Sequence, residues 1–493
     1  MNRTILAMLG SLFIMVAVVF LLSQTNRSSI GETEPLVLFC AASNRAVVDV
    51  IREDYRKEFG REVQVQYGPS QTLLATLEVT KTGDLFLPAD DSFLNLAKEK
   101  NLVTEVLPLG TMHAGIVVLK GNPKRISSLA DLLRDDVQFV QASVEASAIG
   151  KLTRDVLSAS QRWDALDRAT DAYRTTVTDV ANDVLVGSAD AGIVYDAVLH
   201  AYPDLEFLKV PELANAHSRV MVGVVSDSKQ PSAALHFARY LAASDRGGKR
   251  YDEFGFAAEK LESWNAEPEL IVFAGSMLRP AIEETLKAFE LREGVRVTTV
   301  YNGCGILVAQ MNTGQLPDAY FACDKEFMNQ VKEYFPSPVD VSKNELVILV
   351  QKGNPLGIRS LKDLTRAGVR VGIGHEKQCA MGWITQNTFR EGGIQKEVMP
   401  NVTVQTPTGD MLVNQLRTGS LDAAVAYLSN AAGAAEYLDA VQITGIECSV
   451  ATQPWAIASK SKFPLTTSRL FERICSAESQ ETFLAEGFRW QKD

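Results

Sequence analysis

A chain of 493 residues, 46% hydrophobic and 22% charged, has the composition of an ordinary globular protein and length enough for two to four domains. Its 49 Lys and Arg against 60 Asp and Glu leave a net charge of −11, which gives no basic footprint for nucleic acid. No run of like charges forms a tail, so the acidity reads as solubility rather than a cationic partner.

Residues 5–22 are nearly all apolar, preceded by Arg3 and followed by the polar stretch Ser23 to Arg27. About 18 residues at 1.5 Å each just cross a bilayer. The run is longer than the usual signal-peptide core and no small-x-small cleavage site follows it. Residues 1–34 are therefore expected to be a signal anchor and stalk, an N-terminal transmembrane helix holding the body outside the inner (cytoplasmic) membrane. A cleaved signal peptide is the alternative, and both export the body.

From Leu36 the pattern alternates. Leu36 to Phe39 reads as a buried strand, and Ala46, Val47, Val50, Ile51, Tyr55 and Phe59 recur at helical spacing up to Gly60. Glu62 to Gln66 alternates as a strand, Tyr67 to Ser70 turns into a helix through Leu77, and Asp84 to Leu87 is a third strand. Then come a strand at Gly115 to Leu119, a helix capped by Ser127 and Ser128 that runs to Leu133, and a strand at Val137 to Val140. A helix from Ala148, another over Asp179 to Val186, and a strand at Gly192 to Tyr195 follow. The segment Leu205 to Phe256 adds strands and two helices. Strands alternating with helices predict a parallel α/β sheet.

The chain then repeats. Gly187 to Tyr195 (GSADAGIVY) returns as Gly419 to Tyr427 (GSLDAAVAY) at an offset of 232, and Lys120-Gly-Asn-Pro123 returns as Lys352-Gly-Asn-Pro355. Tyr67, Asp84 and Asp90 fall on Tyr301, Asp318 and Asp324 at an offset of 234. Matches this dense at a nearly constant spacing mean two copies of one domain of roughly 220 residues. The expected units are residues 35–258 and 269–493, joined by a charged linker, 259–268, too short to let them roam apart.

The order of these stretches resembles the molybdate-binding periplasmic proteins of ABC importers. Phe39-Cys-Ala-Ala-Ser43, Tyr67-Gly-Pro-Ser70, Asp84 to Asp90, Lys120 to Pro123 and Gly187 to Tyr195 carry the likeness, once per copy. The resemblance implies α/β architecture with two tandem copies of a two-lobed type II periplasmic solute-binding fold. It implies extracytoplasmic binding of a small tetrahedral oxyanion for delivery to an importer permease, without enzymatic activity. The oxyanion would meet Ser43 and Ser70, backbone near Ser147 and Val177, and the hydroxyl of Tyr195. Each serine precedes or begins an expected helix, where unpaired N–H donors favour an anion. Taken singly, each is an ordinary helix cap and Tyr195 an ordinary core residue.

In the second copy the corresponding positions are Ser276, Cys304, Cys379, Gly409 and Tyr427, with Ser276 matched to Ser43 only through a one-residue gap. A thiol is a weak donor for an oxyanion. Cys304, Cys323, Cys379 and His375 are ligand types for a soft or borderline metal; they equally suit one disulfide with a spare thiol, or small buried residues in a decayed site. No other cofactor is expected. Five of the six cysteines lie in the second copy, so they are not a shared framework of the fold. A membrane-anchored tandem sensor or scaffold is the alternative to transport, and a cysteine enzyme in the second unit the least supported reading.

Overall fold

Short apolar runs become the central strands of each unit in this computed structural model, which describes residues 34–260 and 262–491. In the first unit these are β1 (Leu36–Ala41), β2 (Val63–Gly68), β3 (Leu85–Leu87), β4 (Val103–Leu119), β5 (Phe139–Ala142), β6 (Ala172–Arg174), β7 (Ala191–Tyr195), β8 (Leu205–Leu208), β9 (His217–Val225) and β10 (Ala257–Ala258). They form one sheet in the order β2-β1-β3-β9-β4-β7-β5-β6, with β8 and β10 pairing onto β4. The second sheet repeats that path: Arg296–Asn302, Glu269–Gly275, Ala319–Phe321, Val450–Ile457, Val339–Gln351, Ala423–Tyr427, Val371–Gly374 and Val402–Thr406. Each unit has its own buried core, from Leu36 to Phe256 and from Leu270 to Phe488.

The sheet is mixed rather than parallel. β1 pairs in parallel with β2 and β3, and β5 with β6 and β7, but β9 runs antiparallel to β3 and β4, and β4 antiparallel to β7. The strand expected at Gly115 begins at Val103, and its length explains the mixture. Its first half pairs with β9 in one lobe, and Ala114 to Leu119 pairs with β7 and β8 in the other. Pro108 sits at a register shift in β4, where a missing N–H is tolerated. The expected helix to Leu133 is a short 3-10 segment, Leu129–Leu133. The anchor expected at Ile5 to Leu22 lies outside the described residues; among those described, no helix is long and apolar enough to cross a membrane.

The two units are pinned together. Glu293, 1% exposed at the end of helix Arg279–Glu293, accepts two hydrogen bonds from Arg469 (2.6 and 3.0 Å). Arg239 of the first unit lies 3.5 Å from the same carboxylate and donates to the Glu293 carbonyl. Burial lowers the Arg239 pKa; burial also works against the charge on Arg469, but the charge and hydrogen bonds of Glu293, with Glu262 and Glu105, together raise its pKa. The linker is held too: Glu262 accepts from the Thr466 N–H (2.9 Å), and Trp264 packs edge-on against His236 and Tyr240.

Removing one member of a buried ion cluster leaves the others charged and unpaired, at a cost of about 3–5 kcal/mol. Glu293→Gln is therefore expected to lower the free energy of unfolding of the full chain by that amount, read as a lower denaturant midpoint. An unchanged midpoint would mean that the cluster contributes nothing to the union of the units.

Candidate functional site

Each parallel strand of the first unit feeds a helix, so helix N-termini gather along one edge of the sheet. Ser43 lies in the 3-10 turn Ala42–Asn44, which leads into helix Arg45–Phe59. Ser70 opens helix Ser70–Thr80, Ser147 stands immediately before Ala148–Ala159, Val177 opens Val177–Leu185, and Tyr195 ends β7. All five are buried. Of the three serines only Ser147 stands at an N-cap position; Asn44 and Pro69 hold that place in the helices at Ser43 and Ser70. The N-cap positions of helices Arg45–Phe59, Ser70–Thr80 and Ala148–Ala159 make no side-chain cap hydrogen bond, and none of these helices has an acid in its first turn. The amides of Ser70 and Gln71 meet no acceptor among the described residues.

Hydrogen bonds tie the lobes together around these groups. Ser70 Oγ accepts from the Ala89 N–H at 3.1 Å. The adjacent Asp90 accepts from Ser218 Oγ (3.0 Å), which leaves Ser218 to accept from the Tyr195 hydroxyl (2.8 Å). Tyr195, in the far lobe, is thus linked through β9 to the loop that touches Ser70. Burial raises the Tyr195 pKa far above the usual phenol value, so it stays a neutral donor. The turn at Ser43 touches helix Val177–Leu185, and Lys151 lies over the Phe93 ring, 5.6 Å away, joining the Ser147 helix to the other lobe. A cavity of about 190 Å³ opens beside Ser43, with Arg45 and Thr178 in its wall. A larger groove, about 760 Å³ beside Tyr55, Arg61 and His236, lies away from these N-termini.

Sequence reasoning missed Ser218, because its place in the second unit is taken by Ala451. Asp90 was visible as a residue repeated at Asp324, but its partners were not.

The second unit keeps the scaffold and changes the chemistry. Helices Arg45–Phe59 and Arg279–Glu293, and the turns before them, correspond at a single offset of 234. No gap is needed, so Ser276 occupies the place of Ala42, and Met277 that of Ser43. Cys304 opens helix Cys304–Asn312 as Ser70 opens its own, and its sulfur accepts from the Cys323 N–H at 3.1 Å. Cys323 stands where the first unit has Ala89, and Gly275 where it has Ala41. A Cβ on Gly275 would collide with Cys323 Sγ and lie 3.2 Å from Cys304 Sγ, which places the two sulfurs within about 5 Å of each other. Burial raises the Cys304 thiol, but hydrogen bonding from the Cys323 thiol and N–H outweighs it and brings the pKa below the usual value. Hydrogen bonding with Cys304 and burial raise Cys323 well above that value, and burial pushes Cys379 up to about 11.

Anion donors of the first cleft are consumed in the second. The Gly305 N–H donates to the Gln378 carbonyl (3.0 Å), a bond between the lobes for which Gln71 has no counterpart. Glycine is required at 303 and 305 because the carbonyls of Gln378 and Lys377 fill the space of any side chain. Gly409 has a packing reason as well: a Cβ there would strike the Asn430 amide. Tyr427 keeps its position at a strand end, but its buried hydroxyl has no partner among the described residues, since Ala451 replaces Ser218. Asn344, paired across the strands with Ala451, also has both amide atoms unpartnered.

Among the described residues, no three His, Cys, Asp or Glu side chains gather so as to hold a metal ion. The set Cys304, Cys323, Cys379 and His375 does not converge: His375 Nδ1 accepts from the Lys377 N–H (3.3 Å), and the Cys379 thiol points to the carbonyls of His375 and Thr406 (3.6 and 3.7 Å). Cys304, Cys323 and Cys379 form no disulfide with one another, so the alternative of one disulfide with a spare thiol is not what the structure shows.

The model of a family described as bacterial extracellular solute-binding protein matches residues 36–257 and again 270–489. A molybdate-binding protein ModA of Mycobacterium tuberculosis is 30% identical over 227 residues, 45% of this chain and 84% of that protein. A Haemophilus influenzae protein named as a binding protein is 27% identical over 228 residues, 45% of this chain and 90% of its own. Among solved structures, the substrate-binding domain of a molybdenum ABC transporter from Clostridium difficile aligns over 46% of this chain and 99% of its own, with 24% identity and a TM-score of 0.37.

The crowding at Gly275 gives a direct check. Gly275→Ala forces a methyl into Cys323 and is expected to destabilise the second unit by about 1–3 kcal/mol, the usual cost of overpacking. Adding Cys323→Ala, which recreates the Ala41 and Ala89 pair, should restore the loss in a double-mutant cycle read by thermal unfolding. Additive effects would show that the two positions do not touch.

Proposed function

The chain belongs to the bacterial extracellular solute-binding protein family, twice in succession, and from that premise we propose that its first unit binds a small tetrahedral oxyanion of the molybdate or tungstate class. The ion is captured outside the cytoplasm and handed to the permease of an ABC importer; no chemical conversion is involved. One observation carries the reading: the helix N-termini at the buried Ser43, Ser70 and Ser147 carry no side-chain cap and no acid in their first turns. Hydroxyls and amides in that state need an acceptor with several oxygens. A tetrahedral dianion supplies them, and neutral donors hold it through local dipoles without a counter-charge. The relatives named as molybdate-binding proteins support the choice of ion.

Tyr195 donates to Ser218 when the cleft is empty, and we assign it a second role as donor to the ligand. Because it stays protonated, binding is independent of its ionisation throughout the neutral range.

A sensor reading has one observation in its favour. The Arg239, Glu293 and Arg469 cluster fixes the two units to each other, so closure of one cleft reorients a body that a partner could read. Transport by a single unit needs no such union.

Titration of the full chain with molybdate, tungstate, sulfate and phosphate tests the proposal. The best of the four at 100 times its Kd should stabilise the first unit by about 2.7 kcal/mol. Ser70→Ala and Tyr195→Phe should each weaken binding by about 1.5–3 kcal/mol, roughly ten- to hundredfold. Affinity left unchanged by both substitutions would remove the site from this cleft.

A further inference from the structure

We propose that the second cleft binds a trivalent metalloid hydroxide, of the kind arsenous acid represents, through the dithiol of Cys304 and Cys323. Three replacements between the copies act together: Ser70 becomes Cys304, Ala89 becomes Cys323, and Ala41 becomes Gly275. The last makes room for the second sulfur. A decayed site needs only the loss of a hydroxyl. Here a second thiol has been placed within about 5 Å of the first, and a methyl group removed to accommodate it.

An independent observation points to an occupant. Among the described residues the hydroxyl of Tyr427, 2% exposed at the strand end, has no partner, and Asn344, 1% exposed and two residues along the neighbouring strand from Leu346, the cross-strand partner of Tyr427, has two unpartnered amide atoms. Buried polar groups almost always find partners. These three atoms would be satisfied by a ligand carrying oxygen next to the sulfurs.

Charge decides the class. Among the described residues no Lys or Arg side chain bonds to Cys304, Cys323, Cys379 or Tyr427; the ionisable neighbours of the pair are the Tyr320 phenol, which burial keeps protonated, and Asp324, an acid that caps helix Lys325–Asn329. Two buried thiolates on a monovalent soft cation such as silver(I) would leave uncompensated negative charge there, at a high desolvation cost, and a bare divalent cation would bring no oxygen for Tyr427 and Asn344. An oxyanion is disfavoured for the same reason, and the Gln378 carbonyl already occupies the Gly305 N–H. Arsenous acid avoids both costs, because it is neutral and reacts by exchange. As(OH)₃ and two thiols give a dithioarsenite bearing one hydroxyl, with release of two waters. Each As–S bond forms as an As–O bond breaks, and the thiol proton leaves with the departing hydroxide. Arsenic stays trivalent, so no oxidant or reductant is needed, and no charge is created. The remaining As–OH is left for Tyr427 and Asn344. Entry requires the lobes to part at the Gly305 and Gln378 hydrogen bond.

The test is native mass spectrometry of the reduced full chain with sodium arsenite. One arsenic per chain with the loss of two waters is expected. It should disappear in Cys304→Ser and in Cys323→Ala, and persist in Cys448→Ser, whose sulfur lies elsewhere. Molybdate titration of the same variants reports whether the first unit is still folded, and separates a failure here from a failure of the oxyanion reading. No adduct, an adduct that survives loss of Cys304 and Cys323, or uptake of silver(I) without arsenite would each overturn the proposal.

Discussion

The structure depends on the unpaired N–H groups that every helix leaves at its first turn. A parallel strand–helix unit sends those groups to the strand's C-terminal edge, and two lobes hinged on β4 and β9 turn their edges toward each other. The scaffold thereby gathers backbone donors in a cleft before any side chain is chosen. In the first unit the side chains leave the donors free: no acid occupies the first turn of the helices at Ser43, Ser70 and Ser147, and no hydroxyl caps them. In the second unit a carbonyl from the opposite lobe takes one of them, and glycines at 303 and 305 let it approach. One architecture thus supports an anion site or a latched, sulfur-lined cleft, according to what meets the helix ends.

The same economy of change runs through the contact between hinge and lobe. Tyr195, Ser218 and Asp90 form a closed chain of hydrogen bonds in the first unit. Tyr427 and Asp324 remain in the second, but the middle link is Ala451, so the chain is broken and the tyrosine hydroxyl is stranded. Where the helix from α/β unit to α/β unit was preserved, the polar network was not. At the junction of the units the pattern reverses: Phe59 packs edge-on against His236 in the first unit, and the matching residues of the second, Glu293 and Arg469, make a buried bidentate ion pair that reaches back to Arg239.

Much of this was legible from the chain because it is written twice. Apolar runs and helical spacing located the strands and helices of each lobe, and the repeated Gly-x-x-Asp-Ala stretch fixed the duplication. The antiparallel hinge escaped, because Val103 to His113 mixes apolar and polar residues without clean alternation and contains Pro108. The donors at Ser70, Ser147 and Tyr195 could be named from the resemblance, yet whether a serine caps its helix is a matter of side-chain geometry that spacing does not carry. The differing composition of the two opening loops permits a one-residue gap that matches Ser276 to Ser43; the equal lengths of the turns and helices that follow set Ser276 against Ala42 instead. Three thiols and the His375 imidazole read from the chain as one group of four ligands. Their actual arrangement, a close pair with Cys379 turned toward carbonyls and His375 apart, depends on Gly275, a residue with no chemistry of its own.

The central claim is that free helix N-termini make an anion site in one cleft and that their loss removes it from the other. Isothermal titration of the full chain with molybdate tests this most directly through stoichiometry. One ion bound per chain, with the affinity weakened roughly ten- to hundredfold in Ser70→Ala and unaffected by Cys304→Ser, is the predicted result. Two equivalent ions per chain, or a signal that vanishes with Cys304→Ser while Ser70→Ala retains it, would contradict the account.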